Sequence, residues 1–467
     1  MDNPTDFATL GLRQELLARL QRLQFTEMTA VQAAALPAVL AGKDVVAQAS
    51  TGSGKTAAFA LGCLQRLQHK QFHVQSLVLC PTRELADQVA ESFRELAKAL
   101  ANTKVITLCG GVAIGPQIGS LQHSAHIVVG TPGRVLKHLQ KGTLHLHGLN
   151  TLVLDEADRM LDMGFSDELD AIMAFLPSPR QNLLFSATFP DEVAAVVKAL
   201  SPQALRVDVT TTEAAPSIAE YWCHAPSPKE TRRRAELLAE ALAHWGGRLN
   251  LTFCNTKLDC AALCEQLRGI GFGAVALHGD MEQHERNQTL IRFANGSANI
   301  LVATDVAARG LDIDHVDAVF NYELPHQPEV YVHRIGRTGR AGEQGAAISL
   351  VAEREMPRLH GIEAERGLGA MQLWRADGAQ HNAAAALIEP QVYTLEINGG
   401  RKHKLRPGDI LGALTAAKSI SADAVGKIDI LPMVSYVAIS KAQSAAAQAQ
   451  INGHKIKGRQ YRARGIS

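Results

Sequence analysis

An eight-residue run rich in glycine and hydroxyl side chains could bind the phosphates of a nucleotide. It consists of Ala49, Ser50, Thr51, Gly52, Ser53, Gly54, Lys55 and Thr56. Glycines let the backbone curl so that its N–H groups face a phosphate, and a helix N-terminus adds partial positive charge. In such a P-loop the lysine reaches the β- and γ-phosphates and the threonine binds Mg²⁺. The run predicts a site for nucleotide phosphates and Mg²⁺, although Ala49 stands where the usual motif has glycine.

A second run, Asp155-Glu156-Ala157-Asp158, follows the apolar stretch TLVL. A carboxylate at the end of a buried parallel strand lies beside the P-loop in this architecture, where Asp155 would hold Mg²⁺ and Glu156 would orient or deprotonate the attacking water. An isolated acidic cluster is usually a solvated turn. Its position downstream of a P-loop favours the catalytic interpretation.

A third run, HRIGRTGR, extends from His333 to Arg340 and is dense in arginine. A guanidinium placed beside the γ-phosphoryl oxygens would lower the barrier to hydrolysis, because negative charge spreads over them in the transition state. The same composition also suits a basic surface loop that binds nucleic acid. The spacing alone does not decide between these two functions.

Apolar stretches that alternate with amphipathic ones must position these runs. Strand candidates are DVVAQ, SLVLC, KVITL, HIVVG, TLVLD and NLLFS, and later LNLTFC, GAVAL, NILVAT, VDAVFNY and GAAISLV. Such alternation predicts parallel sheets covered by helices. We place one domain at residues 1–208, a linker at 209–217, a second domain at 218–366, and a connection at 367–390.

The last segment, residues 391–467, has the order βαββαβ, which is that of an RNA-recognition-motif domain. It contains 12 Lys and Arg but 4 Asp and Glu, a net charge of +8, whereas the remaining chain carries −7. This asymmetry predicts that the segment binds a polyanion.

The bulk composition excludes several classes of protein. With 46% hydrophobic and 20% charged residues, the chain is typical of a globular protein. It has no long apolar run and no leader-like N-terminus, which predicts no membrane association and a cytoplasmic location. Seven cysteines without paired C-x-x-C spacing predict reduced thiols in the core.

Ten short motifs occur in an order that resembles the DEAD-box RNA helicase family of superfamily 2. They are ASTGSGKT, PTRELA, GG, TPGR, DEAD, SAT, FCNTK, QHER, TDVAARGLD and HRIGRTGR, and the likeness spans residues 7–351. The resemblance implies an α/β fold with two tandem RecA-like parallel-sheet domains that close on ATP and single-stranded RNA. The small α+β domain would follow them.

The resemblance also implies roles for residues around the nucleotide. Gln32 would read the adenine edge with Thr29 nearby, Phe25 would stack on the ring, and Phe7 would contribute from further away. Gln24 and Met28 replace the usual glycine and proline of this motif. Ser186 and Thr188, with Asp158, would couple hydrolysis to strand opening. Gly310 and Asp312 would contact the nucleotide, and Arg337 and Arg340 would be the arginine fingers.

RNA contacts are implied in the same way. In the first domain they would come from Pro81, Thr82, Arg83, Gly111, Thr131, Gly133 and Arg134, and in the second from Gln283, Arg286, Thr304 and Asp305. Contacts of this kind engage phosphates and 2′-hydroxyls, so the core should have little sequence preference.

The tail segment would therefore choose the RNA. Its basic candidates are Arg401, Lys402, Lys404, Arg406, Lys455 and Lys457, followed by Arg459, Arg462 and Arg464. Leu395 stands at the usual aromatic place of the first strand, so most of the stacking platform is missing, with Tyr393, Tyr436 and Tyr461 as the aromatic candidates. We therefore expect recognition through loops and another face of the domain.

These features indicate an RNA-dependent ATPase and helicase that unwinds short duplexes. A core followed by NGG-R-K-H-K in the tail resembles a bacterial branch of the family, which implies a 23S ribosomal RNA hairpin of the peptidyl-transferase region and pre-50S particles as partners. Alternatives are another RNA target, as in mRNA decay or cold adaptation, a DNA helicase, and a non-enzymatic RNA clamp. A clamp would need damage at Lys55, Asp155 or Glu156, which are intact. A monomer is the default expectation.

Overall fold

The computed structural model describes residues 5–50, 52–209, 218–308, 316–339, 344–366, 369–375, 389–416 and 420–466. The described residues form two seven-stranded sheets, a four-stranded sheet and a two-stranded hairpin. The expected class, two tandem parallel-sheet domains and a small α+β domain, is confirmed.

The first domain is a parallel sheet with helices on both faces. Its strands are β1 (Val45–Gln48), β2 (Ser76–Leu79), β3 (Val105–Leu108), β4 (Ile127–Gly130), β5 (Thr151–Asp155), β6 (Gln181–Ser186) and β7 (Leu205–Asp208). Its helices are α1 (Gln14–Arg22), α2 (Ala30–Leu40), α3 (Lys55–Arg66), α4 (Arg83–Ala97), α5 (Gly115–Leu121), α6 (Pro132–Gln140), α7 (Ala157–Asp162), α8 (Ser166–Met173) and α9 (Asp191–Leu200).

The strand order in this sheet is β3-β4-β2-β5-β6-β1-β7. Because helices cover both faces, the central strands are buried on both sides and appear in the sequence as continuous apolar runs. Phe59, Phe93 and Phe185 pack on one face, and Leu77, Leu152 and Leu184 on the other. Strand β7 was not expected, because its pattern is mostly exposed and lies at the sheet edge.

The second domain repeats this architecture. Its strands are β8 (Ile218–His224), β9 (Asn250–Cys254), β10 (Ala274–Leu277), β11 (Ile300–Thr304), β12 (Ala318–Asn321), β13 (Gly345–Val351) and β14 (Gln372–Leu373). Its helices are α10 (Thr231–Trp245), α11 (Lys257–Ile270), α12 (Gln283–Ala294), α13 (Asp305–Ala308), α14 (Pro328–Ile335) and α15 (Met356–Arg366). The strand order is β10-β11-β9-β12-β13-β8-β14.

Two strands of the second domain lie outside the expected set. Strand β8, which contains Tyr221 and Trp222, begins the second domain but was not among the strand candidates, and β14 pairs with it at the sheet edge. Trp374, which follows β14, stacks on His244 with ring centroids 5.7 Å apart. This aromatic contact holds the chain on the second domain after its last strand.

The tail domain has the predicted βαββαβ order. Its main strands are β15 (Val392–Ile397), β16 (Val425–Ile430), β17 (Ser435–Ser440) and β20 (Ala463–Ile466), and a small hairpin joins β18 (Lys455–Ile456) to β19 (Arg459–Gln460). Helices α16 (Pro407–Thr415) and α17 (Ser444–Gly453) complete it. The antiparallel sheet has the order β16-β17-β15-β20.

All seven cysteines are buried and unbonded, which confirms the expected core thiols. Burial raises the pKa of each thiol, so these cysteines are poor nucleophiles. Within the described ranges, each helix is too short or too polar to span a bilayer.

Candidate nucleotide site and nucleic-acid surfaces

The segments expected around the phosphates meet at one edge of the first sheet. The P-loop follows β1, the acidic run follows β5, and Ser186 ends β6. Strand β6 lies between the other two, with Gln48 opposite Ser186 and Asp155 opposite Phe185. Because parallel strands point the same way, their carboxyl ends form a common crevice, which is where ligands bind in such sheets.

The P-loop closes onto helix α3 through glycines with positive φ. Gly52 has a φ of 85° and Gly54 a φ of 96°, in the region that favours glycine. Lys55 is buried and its Nζ donates a hydrogen bond to the Ala49 carbonyl at 2.9 Å. Ala49 is itself fully buried, so its methyl group is accommodated where the usual motif has glycine. Thr51 lies outside the described residues.

The segment before helix α2 contacts the P-loop directly. The Gln32 Oε1 accepts a hydrogen bond from the Thr29 backbone N–H at 3.0 Å, and its Nε2 donates to the Gly54 carbonyl at 3.1 Å. A Cβ on Gly54 would approach Gln32 Nε2 to 2.5 Å. Phe25 is 40% exposed, whereas Phe7 is buried in the core. Phe25 therefore has an accessible ring, whereas Phe7 packs in the hydrophobic core of the first domain.

Asp155 is a buried carboxyl group at the end of β5. Burial raises its pKa to about 7, although the nearby Lys55 ammonium opposes this rise and Glu156 adds to it. The side chain of Glu156 is also buried and lies 3.1 Å from Arg159 Nη1. These contacts place two carboxylates and two cations side by side at the carboxyl edge of the sheet.

Asp158 links the acidic run to the SAT segment. Its Oδ2 accepts hydrogen bonds from the Thr188 N–H at 2.9 Å and the Thr188 hydroxyl at 2.7 Å, and its own N–H donates to Ser186 Oγ at 3.2 Å. Burial opposes ionisation, but the hydrogen bonds from Thr188 hold the pKa of Asp158 below its usual value. Asp158 is therefore a charged, three-point connection between the two segments.

The RNA candidates of the first domain gather at the carboxyl ends of β2, β3 and β4. Thr82 Oγ1 accepts a hydrogen bond from the Leu85 N–H at 3.2 Å and so begins α4 beside Pro81 and Arg83. Arg134 donates to Val112 O and to Gln117 Oε1, each at 2.8 Å. The same edge includes Gly111, with a φ of 72°, and Thr131 and Gly133 at the start of α6.

Gln117 is a positioning residue that the sequence did not indicate. Its Nε2 donates to the Cys109 carbonyl at 3.0 Å, while its Oε1 contacts both Arg134 and His138. A lone glutamine in a short helix has no distinctive spacing, so only the folded arrangement reveals this role.

In the second domain, Arg334 organises the candidates at the end of β11. Its guanidinium donates hydrogen bonds to both carboxylate oxygens of Asp305, at 2.6 and 2.7 Å, and Arg334 is only 1% exposed. It also donates to Asn255 Oδ1 at 2.9 Å, in the FCNTK motif. Arg334 thus connects three motifs. Both carboxylate oxygens of Asp305 accept hydrogen bonds from it.

The remaining candidates of the second domain lie on α12, at the end of β11 and after α14. Gln283 begins α12, and Arg286 follows on the next turn, with Nη2 3.4 Å from the Ala307 carbonyl. Thr304 ends β11 and is 8% exposed. Arg337 follows α14 and is 5% exposed. Gly310, Asp312 and Arg340 lie outside the described residues.

The two basic clusters of the tail domain meet at one end of its sheet. Lys457 Nζ donates to the Lys404 carbonyl at 3.2 Å and pairs with Asp409 at 2.7 Å. The loop that contains Arg401 and Lys402 is fixed by backbone hydrogen bonds to the loop after β16. The exposed basic side chains around this end are Arg401, Lys402, Lys404, Arg406, Lys455, Lys457, Arg459 and Arg462.

The sheet face of the tail domain packs on helix α12 of the second domain. Glu396 accepts hydrogen bonds from Gln288 Nε2 at 2.5 Å and from Arg464 Nε at 3.0 Å. Thr394 Oγ1 accepts one from Asn295 Nδ2 at 2.8 Å and lies 2.6 Å from Ser297 Oγ. Protein therefore covers the part of the sheet that contains Thr394 and Glu396.

This packing corrects the expectation for Leu395. That residue does not lie at an RNA-facing aromatic position, because it points into the domain core with Ile397, while Thr394 and Glu396 face the other way. Tyr461 belongs to the same core, Tyr436 is fully buried, and Tyr393 packs partly against the core. Tyr436 and Tyr461 therefore have no exposed ring on which a base could stack.

Three family models match successive parts of the chain. Residues 29–196 match the DEAD/DEAH box helicase model, residues 233–342 match the helicase conserved C-terminal domain, and residues 394–464 match the DbpA RNA binding domain.

Individual relatives give the same order. The ATP-dependent RNA helicase DbpA of Escherichia coli K12 is 51% identical over 98% of this chain and 99% of its own. The DEAD-box ATP-dependent RNA helicase CshA of Geobacillus kaustophilus is 42% identical over 77% of this chain and 76% of its own. The structure of S. cerevisiae Dbp5 bound to RNA and ADP BeF3 is similar, with a TM-score of 0.72 and 32% identity over 82% of this chain and 98% of that chain.

Proposed function

Because the chain belongs to the DEAD-box family of ATP-dependent RNA helicases, we propose that it opens short RNA duplexes in 23S ribosomal RNA during assembly of the large (50S) ribosomal subunit. The observation that carries this target is the tail: residues 394–464 match the DbpA RNA binding domain, and the likeness to the E. coli protein covers 98% of the chain. The likeness to CshA covers 77%, so it leaves more of the chain unmatched.

We assign ATP to the crevice at the carboxyl edge of the first sheet. Backbone N–H groups of Ser50, Thr51, Gly52, Ser53 and Gly54 would cradle the phosphates, and Lys55 would neutralise their charge. Gln32 has an amide that can read the adenine edge, and the exposed ring of Phe25 can stack on the base. Gly310 and Asp312 would add contacts to the nucleotide.

Mg²⁺ fits the same crevice. Mg²⁺ is usually held by one or two carboxylates together with substrate phosphates, and Asp155 with the Thr56 hydroxyl provides such a set. The buried Asp155 carboxyl, whose pKa burial raises to about 7, is a group whose charged form a cation would favour. When bound, the ion would neutralise charge on the β- and γ-phosphates.

Hydrolysis would then depend on three protein groups. Glu156 would orient the attacking water, while Arg337 and Arg340 would stabilise the charge that develops on the γ-phosphoryl oxygens. Asp158 would transmit a change in nucleotide state to Ser186 and Thr188, because its carboxylate and N–H join the acidic run to the SAT segment. This connection would couple nucleotide state to strand opening.

RNA would lie across the carboxyl edges that hold the motif residues. Pro81, Thr82, Arg83, Gly111, Thr131, Gly133 and Arg134 would contact it in the first domain, and Gln283, Arg286, Thr304 and Asp305 in the second. Backbone and hydroxyl contacts of this kind carry no base code. Selectivity would therefore come from the tail.

The tail would bind the peptidyl-transferase hairpin, within pre-50S particles, through its basic end. Arg401, Lys402, Lys404, Arg406, Lys455 and Lys457 are exposed there, whereas α12 covers the sheet face around Glu396. Charged side chains at loops can engage phosphates and hairpin bases without the usual aromatic platform. This target would place the protein in the cytoplasm, where ribosomes are assembled.

The test is the ATPase rate against a panel of RNAs at fixed salt. A 23S fragment that spans the hairpin should stimulate hydrolysis far more than unrelated RNA or DNA of the same length. Replacing both Arg401 and Lys402 by alanine should remove this preference and lower the salt slope of binding by about one per lost phosphate contact. Lys427→Ala, an exposed lysine on β16, is the matched control.

Each outcome has a definite meaning. Equal stimulation by every RNA would support the helicase activity but contradict the proposed ribosomal target. If the preference for the 23S fragment survived the double substitution, the recognition surface would lie elsewhere than at the basic end.

A further inference from the structure

The three carboxylates of the acidic run have three different partners. Lys55 lies close enough to Asp155 to oppose the rise in its pKa that burial causes. Thr188 donates two hydrogen bonds to Asp158. The partner of Glu156 is Arg159, whose Nη1 lies 3.1 Å from Glu156 Oε2. The roles assigned above use each of these groups except Arg159.

The pair of Glu156 and Arg159 is buried, unlike other pairs with the same spacing. Its side chains are 6% and 5% exposed, whereas those of Glu91 and Arg94 on α4 are 53% and 33% exposed. Exposed pairs at this spacing contribute little to helix stability, and buried pairs lose the hydration of both charges. A general stabilising effect on helix α7 therefore does not explain why Arg159 is enclosed here.

The backbone at Glu156 constrains where its carboxylate can point. Glu156 has a φ of 54° and a ψ of 55°, a left-handed conformation that is uncommon for a residue other than glycine. This turn ends β5 and begins α7, so the side chain leaves the chain next to Asp155. Strained backbone that persists at such a position is typical of functional sites.

The contact leaves hydrogen-bonding capacity on the carboxylate. Within the described residues, neither Glu156 Oε2 nor Arg159 Nη1 forms a hydrogen bond of good geometry, although they are 3.1 Å apart. Arg159 therefore holds the buried Oε2 by charge, and this contact fixes the direction of the second carboxylate oxygen, Oε1. The Arg159 N–H is itself fixed by Asp158 Oδ1 at 3.0 Å.

We propose that Arg159 is a positioning residue for hydrolysis, which fixes the Glu156 carboxylate in the orientation that aligns the attacking water. This role rests on the proposed function of Glu156. Because Asp158 bonds to both Thr188 and the Arg159 backbone, the positioning group is part of the same connection that joins the acidic run to the SAT segment. The guanidinium is planar and can hold a carboxylate from the side, which a lysine ammonium does less well.

The experiment measures RNA-stimulated ATPase of the full chain, with the affinity for a fluorescent ATP analogue measured separately. Arg159→Ala should lower kcat by about tenfold to a hundredfold, the usual effect of a misplaced catalytic group, with the KM for ATP and the analogue affinity within about twofold of wild type. Arg159→Lys should recover part of kcat. Arg94→Ala, which removes an exposed partner at the same spacing, should leave all three quantities unchanged.

A double-substitution cycle separates positioning from an independent effect. In the Glu156→Gln background, Arg159→Ala should lower kcat by no more than about twofold further, because the group it positions is already inactive. A kcat for Arg159→Ala within about twofold of wild type would overturn the proposal, and so would a full additional loss in that background.

Two further results bear on the same proposal. Loss of analogue binding in both Arg159 variants, with a lowered melting temperature, would show that the pair only holds the local fold and would also overturn it. If the wild-type chain had no RNA-stimulated ATPase, the proposed function would fail first, and the two failures would be distinguishable.

Discussion

Gln32 Nε2 donates a hydrogen bond to the Gly54 carbonyl at 3.1 Å, which joins the segment before helix α2 to the phosphate-binding loop. The amide oxygen of the same side chain accepts from the Thr29 N–H. A single glutamine therefore contacts both the segment that would read the base and the loop that would bind the phosphates. Because one side chain makes both contacts, we expect adenine recognition and phosphate binding to depend on each other.

Gly54→Ala should weaken ATP binding. A Cβ would approach Gln32 Nε2 to 2.5 Å and Thr29 Oγ1 to 2.9 Å, and the φ of 96° disfavours alanine. Strain of about 1–3 kcal/mol would lower affinity by roughly 5-fold to 150-fold, measured by titration with a fluorescent ATP analogue. Gly269→Ala in α11, where a Cβ meets no atom within 4 Å, is the control. Unchanged affinity would place the ATP loop elsewhere.

Lys55→Ala should abolish phosphate binding and hydrolysis. The ammonium is buried beside Ala49 O and near Asp155, so its removal takes away the positive charge that lowers the pKa of Asp155. Both ATP-analogue affinity and ATPase rate should fall to background, while the melting temperature stays close to that of wild type. Full activity in this variant would contradict the assignment of the ATP site.

Glu156→Gln should keep ATP and RNA bound but stall turnover. The amide preserves shape and removes the charge that orients water, so kcat should fall by about 10²–10⁴. RNA affinity in the presence of ATP, measured by fluorescence anisotropy, should be equal to or tighter than that of wild type. Normal hydrolysis would mean that another group positions the water.

Thr188→Ala should separate hydrolysis from unwinding. The substitution removes the 2.7 Å hydrogen bond from the Thr188 hydroxyl to Asp158 but leaves the one from the backbone. ATPase rate should fall less than the rate of duplex opening when both are measured on the same RNA. Thr188→Ser, which retains the hydroxyl, is the matched control and should restore unwinding. An equal loss of both activities would argue against a coupling role.

Glu396→Ala should loosen the packing of the tail on the second domain. The carboxylate is 9% exposed and receives hydrogen bonds from Gln288 and Arg464, which would lose their partner. Hairpin affinity should change little because the basic end of the tail is untouched, whereas hairpin-dependent unwinding should fall several-fold. Asp423→Ala, an exposed carboxylate of the same domain, controls for the charge change. Loss of hairpin affinity with Glu396→Ala alone would place RNA on the sheet face.

Local sequence patterns predicted most of the fold and the residue types of the candidate site. Apolar runs such as TLVLD indicate strands that are buried on both faces. Glycines with lysine and threonine indicate a loop around phosphates. Both patterns can be recognised in the sequence because each depends on neighbouring residues alone. They did not identify β7, β8 or β14. Strands β7 and β14 lie at sheet edges and β8 is next to β14; all three have exposed or mixed patterns, so they lack the continuous apolar signal.

Tertiary structure decided which partners those residues have. Alternation along β15 shows that Leu395 and Glu396 face opposite sides, but only the packing of helices α16 and α17 on one side and α12 on the other determines which side is core. The contacts of Arg334 with Asp305 and of Gln32 with Gly54 join residues far apart in the chain, and no local pattern specifies them. The sequence by itself determined the chemistry and the secondary structure, because both depend on local composition. Only the folded chain decided the pairings, because those depend on which surfaces are brought together.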